Sequence, residues 1–187
     1  MQFIAQIDLS FIKGYKGKPT WAYLFMSYFG YDLDNFIDGT WAPDMGENCL
    51  LLQPGNICYV ETEEHLEGPP LCAVSDRLEL LETEPCEFRV ELTQHHDPEF
   101  IEEPQLFEMS EEDSARYYEA TIGNKIGGTP KFEQGDEFPG ERSHDWLLVL
   151  QLDMEEVPFY IDLGDVGKGY AFVKRDGTEG RFLWQCG

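Results

Sequence analysis

Apolar residues come in short runs along this chain, each the length of a strand. Phe3-Ile-Ala-Gln-Ile-Asp-Leu9 is compact and β-prone. Its near-continuous apolar character predicts a strand buried on both faces. Trp21-Ala-Tyr-Leu-Phe-Met26 predicts a second strand with apolar groups on both faces, and Asn48-Cys-Leu-Leu-Leu-Gln53 a third, closed by Pro54-Gly55. Residues 57–61 read as a short fourth. Residues 77–81 and 86–92 alternate apolar and polar, the second cleanly through Phe88, Val90 and Leu92. Both therefore predict strands with one wet face. Strands are also expected at 146–153, 157–162, 170–174 and 181–185, with turns at 164–169 and at Asp176-Gly177. Clusters of Gly, Pro, Asn and Asp mark loops at 13–19, 31–48 and 95–105.

One segment predicts a helix. Ser110 precedes Glu111, Glu112 and Asp113. A serine at the cap accepts from backbone N–H groups, and acids in the first turn favour the positive end of the helix dipole. The helix is expected near 111–121, before Gly123, with a firm break at Gly127-Gly128-Thr129-Pro130. The fold class is thus α+β and β-rich.

The two ends of the chain share a grammar. Phe3-Ile-Ala-Gln-Ile-Asp-Leu9 matches Leu148-Val-Leu-Gln-Leu-Asp-Met154, with Gln6 over Gln151 and Asp8 over Asp153. Trp21–Met26 corresponds to Gly169–Val173, and Leu50-Leu-Leu-Gln53 to Phe182-Leu-Trp-Gln185. Three matches in one order predict an internal duplication: two similar antiparallel sheet units related by a pseudo-twofold. Residues 1–187 then form a single domain: 1–60 the first repeat, 61–109 an acidic middle segment, and 110–187 the helix and second repeat.

Composition narrows the choice of partner. The formal net charge is −24, and Glu61 to Glu119 holds 19 acids against three Arg, or −16. A field of that sign repels phosphate backbones and anionic lipid, so nucleic acid and membrane are not expected partners. A basic protein or a cation is allowed. The chain lacks an apolar run of membrane-spanning length. Its first ten residues have no basic flank or long apolar stretch. Five cysteines, Cys49, Cys58, Cys72, Cys86 and Cys186, contain no C-x-x-C pair, and their odd number argues against a disulfide framework. Reduced thiols and a cytoplasmic location follow as expectations.

An ordered set of motifs runs through the second half. Gly127-Gly-Thr-Pro130 is followed by Gln151-Leu-Asp153, then by Gly164-Asp-Val-Gly167, then by Trp184-Gln-Cys186. In this the chain resembles the YwqG-like family, a bacterial-type domain of unknown function, most closely over residues 122–187. The resemblance implies a duplicated, sheet-rich α+β fold and carries over no catalytic residue. The family has a further Gly-Gly-x-Pro segment ahead of its first Gln-Ile-Asp strand, whereas this sequence opens on that strand.

No constellation meets the requirements of a known chemistry. Gly123 to Thr129 lacks the order of a phosphate-binding loop. Counted from Asp34, an EF-hand would put Phe36 and Met45 at ligand positions. His95 and His96 are adjacent, and His65 and His144 are remote, so no metal or other cofactor is expected. Ser143-His144 and Cys186 belong to no nucleophile motif.

Two readings of function follow. In the first, the chain is a non-enzymatic protein-binding module, of the kind exemplified by immunity or antitoxin-type inhibitors, contacting a basic partner through Glu82, Glu84, Glu87, Glu91, Glu102, Glu103, Glu111 and Glu112. In the second, the chain is a small-ligand-binding protein or an enzyme, and Gln134, Trp146, Gln151, Asp165 and Gln185 line a cleft between the repeats and hold a small polar ligand. Buried amides more commonly satisfy backbone groups.

Overall fold

The computed structural model describes residues 1–28, 37–54, 69–74, 80–140 and 142–187; the side chains of residues 54, 74 and 80–85 lie outside the description. Three antiparallel sheets are present among the described residues. The first contains β1 (Gln2–Asp8), β2 (Pro19–Met26) and β3 (Asn48–Pro54) in that order. The second pairs β4 (Cys72–Val74) with β5 (Leu80–Pro85). The third runs β6 (Lys125–Ile126), β7 (Trp146–Asp153), β8 (Lys168–Lys174) and β9 (Gly180–Gln185). Helices α1 (Glu103–Glu108) and α2 (Glu111–Thr121) precede β6.

The first and third sheets share one pairing frame. In β1–β2, Gln6 faces Tyr23 and Asp8 faces Trp21. In β7–β8, Gln151 faces Tyr170 and Asp153 faces Lys168. The register slips once in each pair, between Phe3 and Ala5 and between Leu148 and Leu150. The third strands keep the frame: Trp21 faces Gln53, and Lys168 faces Gln185. A bulge is a specific insertion that redirects every later side chain. The same bulge at matched positions therefore sends matched residues to matched faces.

The inner faces of these two sheets pack together. Ile4, Ile7, Ala22, Leu24, Met26 and Leu50 meet Val149, Leu152, Ala171, Val173 and Phe182 in one buried cluster. Each fully buried aliphatic or aromatic side chain contributes about 1.5–3 kcal/mol. The sheets also meet at β3 and β9. Trp184 N donates to Trp41 O at 3.2 Å. A Cβ at Gly180 would lie 2.6 Å from Leu50 O, so only glycine permits that approach. A second core lies on the outer face of the four-stranded sheet, where Leu148, Tyr170, Phe172 and Leu183 pack under Phe132 and Phe138.

Several sequence expectations are corrected. β1 is buried on one face only, and Phe3 and Gln6 are exposed. Residues 86–92 form no strand. Phe88, Val90 and Leu92 stay exposed; the segment is tied to its surroundings by Cys86 N to Leu71 O at 3.0 Å and by the Phe88 ring, 5.8 Å from Phe159. Alternation sets which face a strand would show, but a strand also needs a neighbour to bond to. Residues 157–162 give only an isolated bridge, Phe159 to Ala73. Helix α1 was hidden in an acid- and proline-rich stretch; Pro104 sits in its first turn, where the ring is tolerated. The expected strand at 57–61, and residues 77–79 of another, lie outside the described residues.

Helix α2 forms as expected. Ser110 Oγ accepts from Asp113 N at 3.1 Å, with three acids in the first turn. The strands at 146–153 and 181–185, and the turn at Asp176-Gly177, also match.

Candidate functional site

The most ordered polar constellation is on the outer face of the four-stranded sheet. Gln151 on β7, Tyr170 on β8 and Gln185 on β9 are all buried. Gln151 Oε1 accepts from Lys131 N at 2.9 Å, and its Nε2 donates to Gly123 O at 2.9 Å and Thr121 O at 3.2 Å. Gln185 Oε1 accepts from Glu133 N at 2.8 Å and Gln134 N at 3.1 Å. Its Nε2 donates to Gly135 O and Glu137 Oε2. Tyr170 OH donates to Lys131 O at 2.6 Å, and burial raises its pKa, so the hydroxyl keeps its proton. These three side chains thus hold the segment that leaves α2 and crosses the sheet.

Ion pairs fix the same segment. Glu133 meets Lys131 at 2.8 Å and Lys168 at 2.5 Å, and Lys168 also faces Asp153 at 3.3 Å. Burial alone would raise the Glu133 pKa, but hydrogen bonds from the two lysines outweigh it and hold the carboxyl below its ordinary value. Lys168 is shifted up: burial pulls it down, and Glu133 and Asp153 prevail. A carboxyl depressed on folding adds stability above its unfolded pKa of about 4.3 and loses it as pH falls through the folded value. Glu133→Gln therefore weakens the protein near neutrality and flattens its acid unfolding curve. Circular dichroism between pH 7 and 2 reads both effects.

The amide set offers no groups to a ligand. Gln151 and Gln185 are bonded to backbone, as buried amides usually are. Gln134 is exposed and contributes its backbone N–H. Trp146 is buried with Lys174 Nζ 5.3 Å from its ring. Asp165 is exposed, and its carbonyl accepts from Gly187 N at 3.0 Å. None of the five lines either of the two main concavities. The smaller, about 30 Å³, sits among Phe100, Leu106, Tyr117 and Phe132. That is room for one water. Among the described residues, no three His, Cys, Asp or Glu side chains gather as a metal site. His144 is exposed, 3.5 Å from Asp145.

The larger concavity is a cleft of about 2660 Å³. Its walls are β1, segment 86–97, the end of α2, and β6 with β7. Residues 86–119 carry 11 acids and two arginines, a net of −9. Of the expected contact residues, Glu87, Glu91, Glu102, Glu111 and Glu112 are exposed and Glu103 is half-buried. The side chains of Glu82 and Glu84 lie outside the described ones. Arg116 pairs with Glu112 and Asp113 on the exposed helix face, where such pairs contribute little. Asp97 is different: it is largely buried and meets Lys125 at 2.7 Å. Phe88, Val90, Leu92 and Phe107 stand exposed among these carboxylates.

Sequence reasoning missed Lys131, Glu133, Tyr170 and the aromatic pair Phe132 and Phe138. Their signal was the Pro130-Lys-Phe-Glu133 run, in which each residue meets a different part of the sheet.

A family model described as a domain of unknown function, DUF1963, matches residues 1–182. Comparison with curated proteins gives no match.

Proposed function

Starting from the chain's membership of the DUF1963 family, to which it belongs over nearly its whole length, we propose that it is a non-enzymatic protein-binding module for a basic partner. Within that family we read it as YwqG-like, a reading supported by the ordered motifs from Gly127 to Cys186. The observation that carries the function is the stretch of residues 86–119, in which exposed carboxylates alternate along the chain with exposed Phe88, Val90, Leu92 and Phe107. Apolar anchors in a charged rim are the plan of a protein interface. Fields of opposite sign speed encounter and reject wrong partners. An inhibitor of a basic toxin or nuclease is one form such a module takes. The alternative, a small ligand held by Gln134, Trp146, Gln151, Asp165 and Gln185, draws no support from their placement.

The test is capture of partners from the native host by the wild-type chain and by Glu102→Gln/Glu103→Gln/Glu111→Gln/Glu112→Gln. The expected partner has net positive charge, and it is lost from the variant and from the wild type at high salt. Retention of the same partner by the variant at all salt concentrations would refute the proposal.

A further inference from the structure

The matched registers of the two larger sheets make their outer faces comparable residue by residue. Phe3, Gln6, Tyr23, Phe25, Leu51 and Gln53 occupy the positions of Leu148, Gln151, Tyr170, Phe172, Leu183 and Gln185. The chemical types correspond at every one of these positions. Exposure does not. Leu148 is 3% exposed and Leu183 0%, whereas Phe3 is 45% and Leu51 55%. The difference is the cover. Segment 124–138 crosses the second face, with Lys125 and Ile126 paired to β7 and Phe132 lying 5.1 Å from the Tyr170 ring.

The anchors that hold this cover have counterparts on the exposed face. Gln151 and Gln185 take the backbone N–H groups of Lys131, Glu133 and Gln134, and Tyr170 gives its hydroxyl to Lys131 O. Their counterparts are Gln6, Gln53 and Tyr23. Tyr23 OH donates to Gln53 Oε1, so two of the three groups are paired with each other. The outer edge of β1, where β6 would sit, pairs with no strand among the described residues. An uncovered edge is a template for an added strand.

We propose that the outer face of β1–β3 is a docking site for an extended segment of a partner protein built on the plan of residues 124–138. That plan is a two-residue strand, a Gly-Gly-x-Pro turn and an aromatic residue two positions after the proline. The strand adds to the β1 edge at Ala5 and Gln6. Backbone of the incoming segment takes the Gln6, Tyr23 and Gln53 side chains, and its aromatic ring covers Tyr23 and Phe25. One position differs in charge. Glu133 meets Lys168 in the covered half, but the counterpart of Lys168 is Trp21, beside Asp8. The partner therefore carries a basic residue where this chain has Glu133. A second copy of this chain does not fit, because two such faces bring amides and rings together without the free backbone that the amides take up. The β1 edge shares its cleft with residues 86–97, while Tyr23, Leu51 and Gln53 lie outside that cleft.

The probe is a synthetic peptide of residues 121–140 carrying Glu133→Lys, titrated into the ¹⁵N-labelled full chain. The expected result is saturable shifts confined to β1, β2 and β3, with the Lys peptide binding more tightly than the parent. Leu51→Glu, at a half-exposed position, weakens binding by about tenfold or more, and Tyr23→Phe weakens it less with the fold unchanged. Shifts on β6–β9 instead would mean exchange with the chain's own cover and would overturn the proposal. So would equal affinity for the Leu51→Glu protein, no shifts at millimolar peptide, or a dimer in sedimentation that Leu51→Glu dissociates.

Discussion

Gln151→Leu destabilises the protein by about 2 kcal/mol or more, because a buried polar group left without its partner costs about 1–3 kcal/mol and this change orphans two, Lys131 N and Gly123 O, while Thr121 O keeps Lys125 Nζ. Leucine keeps most of the volume but bonds nothing. Lys131 N, Gly123 O and Thr121 O lose their common partner, and Gln151 is fully buried where they meet it. The cover over Tyr170 and Phe172 loosens with it. Gln6→Leu is the matched control. It changes the same residue at the same register position of β1, on an exposed side chain. Its effect stays within about 0.5 kcal/mol. Urea unfolding of the two variants, compared at equal slope, reads the difference directly. Equal midpoints would show that the amide does not hold the cover.

Lys125→Met is the second large effect. Lys125 Nζ bonds Asp97 Oδ2 at 2.7 Å, Thr121 O at 2.7 Å and Thr129 O, and both members of the ion pair are largely buried. Burial lowers the Lys125 pKa in spite of the Asp97 carboxylate beside it. Removing one partner of a buried pair leaves a charge with no compensation, which costs about 3–5 kcal/mol. Asp97 retains the amide of Thr129, at 2.9 Å. The double variant Lys125→Met/Asp97→Leu recovers part of the loss, since it leaves no buried charge. A double variant as unstable as the sum of the singles would show that the two residues act independently.

The central strands were legible because local pattern and tertiary setting agree. Residues 146–153 are apolar throughout and are covered on both faces, by the first sheet and by Phe132 and Phe138. Residues 3–9 show the same grammar, but only one of their faces is covered, and nothing within the run encodes that difference. The run 86–92 alternates well and forms no strand, since its alternation supplies a face without a bonding neighbour. The glutamines at matched register positions were visible as similar runs in the sequence. Their roles were not, because whether an amide is exposed or spent on backbone depends on a segment 20 residues or more away in sequence. The acidic surface was legible from charge alone, while its exposed apolar residues were hidden by the expectation of a strand.

Zero-length coupling of carboxylates to amines tests the central claim most directly. The chain is cross-linked to its captured partner and the joined residues are mapped by mass spectrometry. Links from partner lysines should fall on Glu87, Glu91 and the acids from Glu99 to Glu119. Links that cluster on Asp44, Asp162 or Asp165 instead, with none between residues 86 and 119, would contradict it.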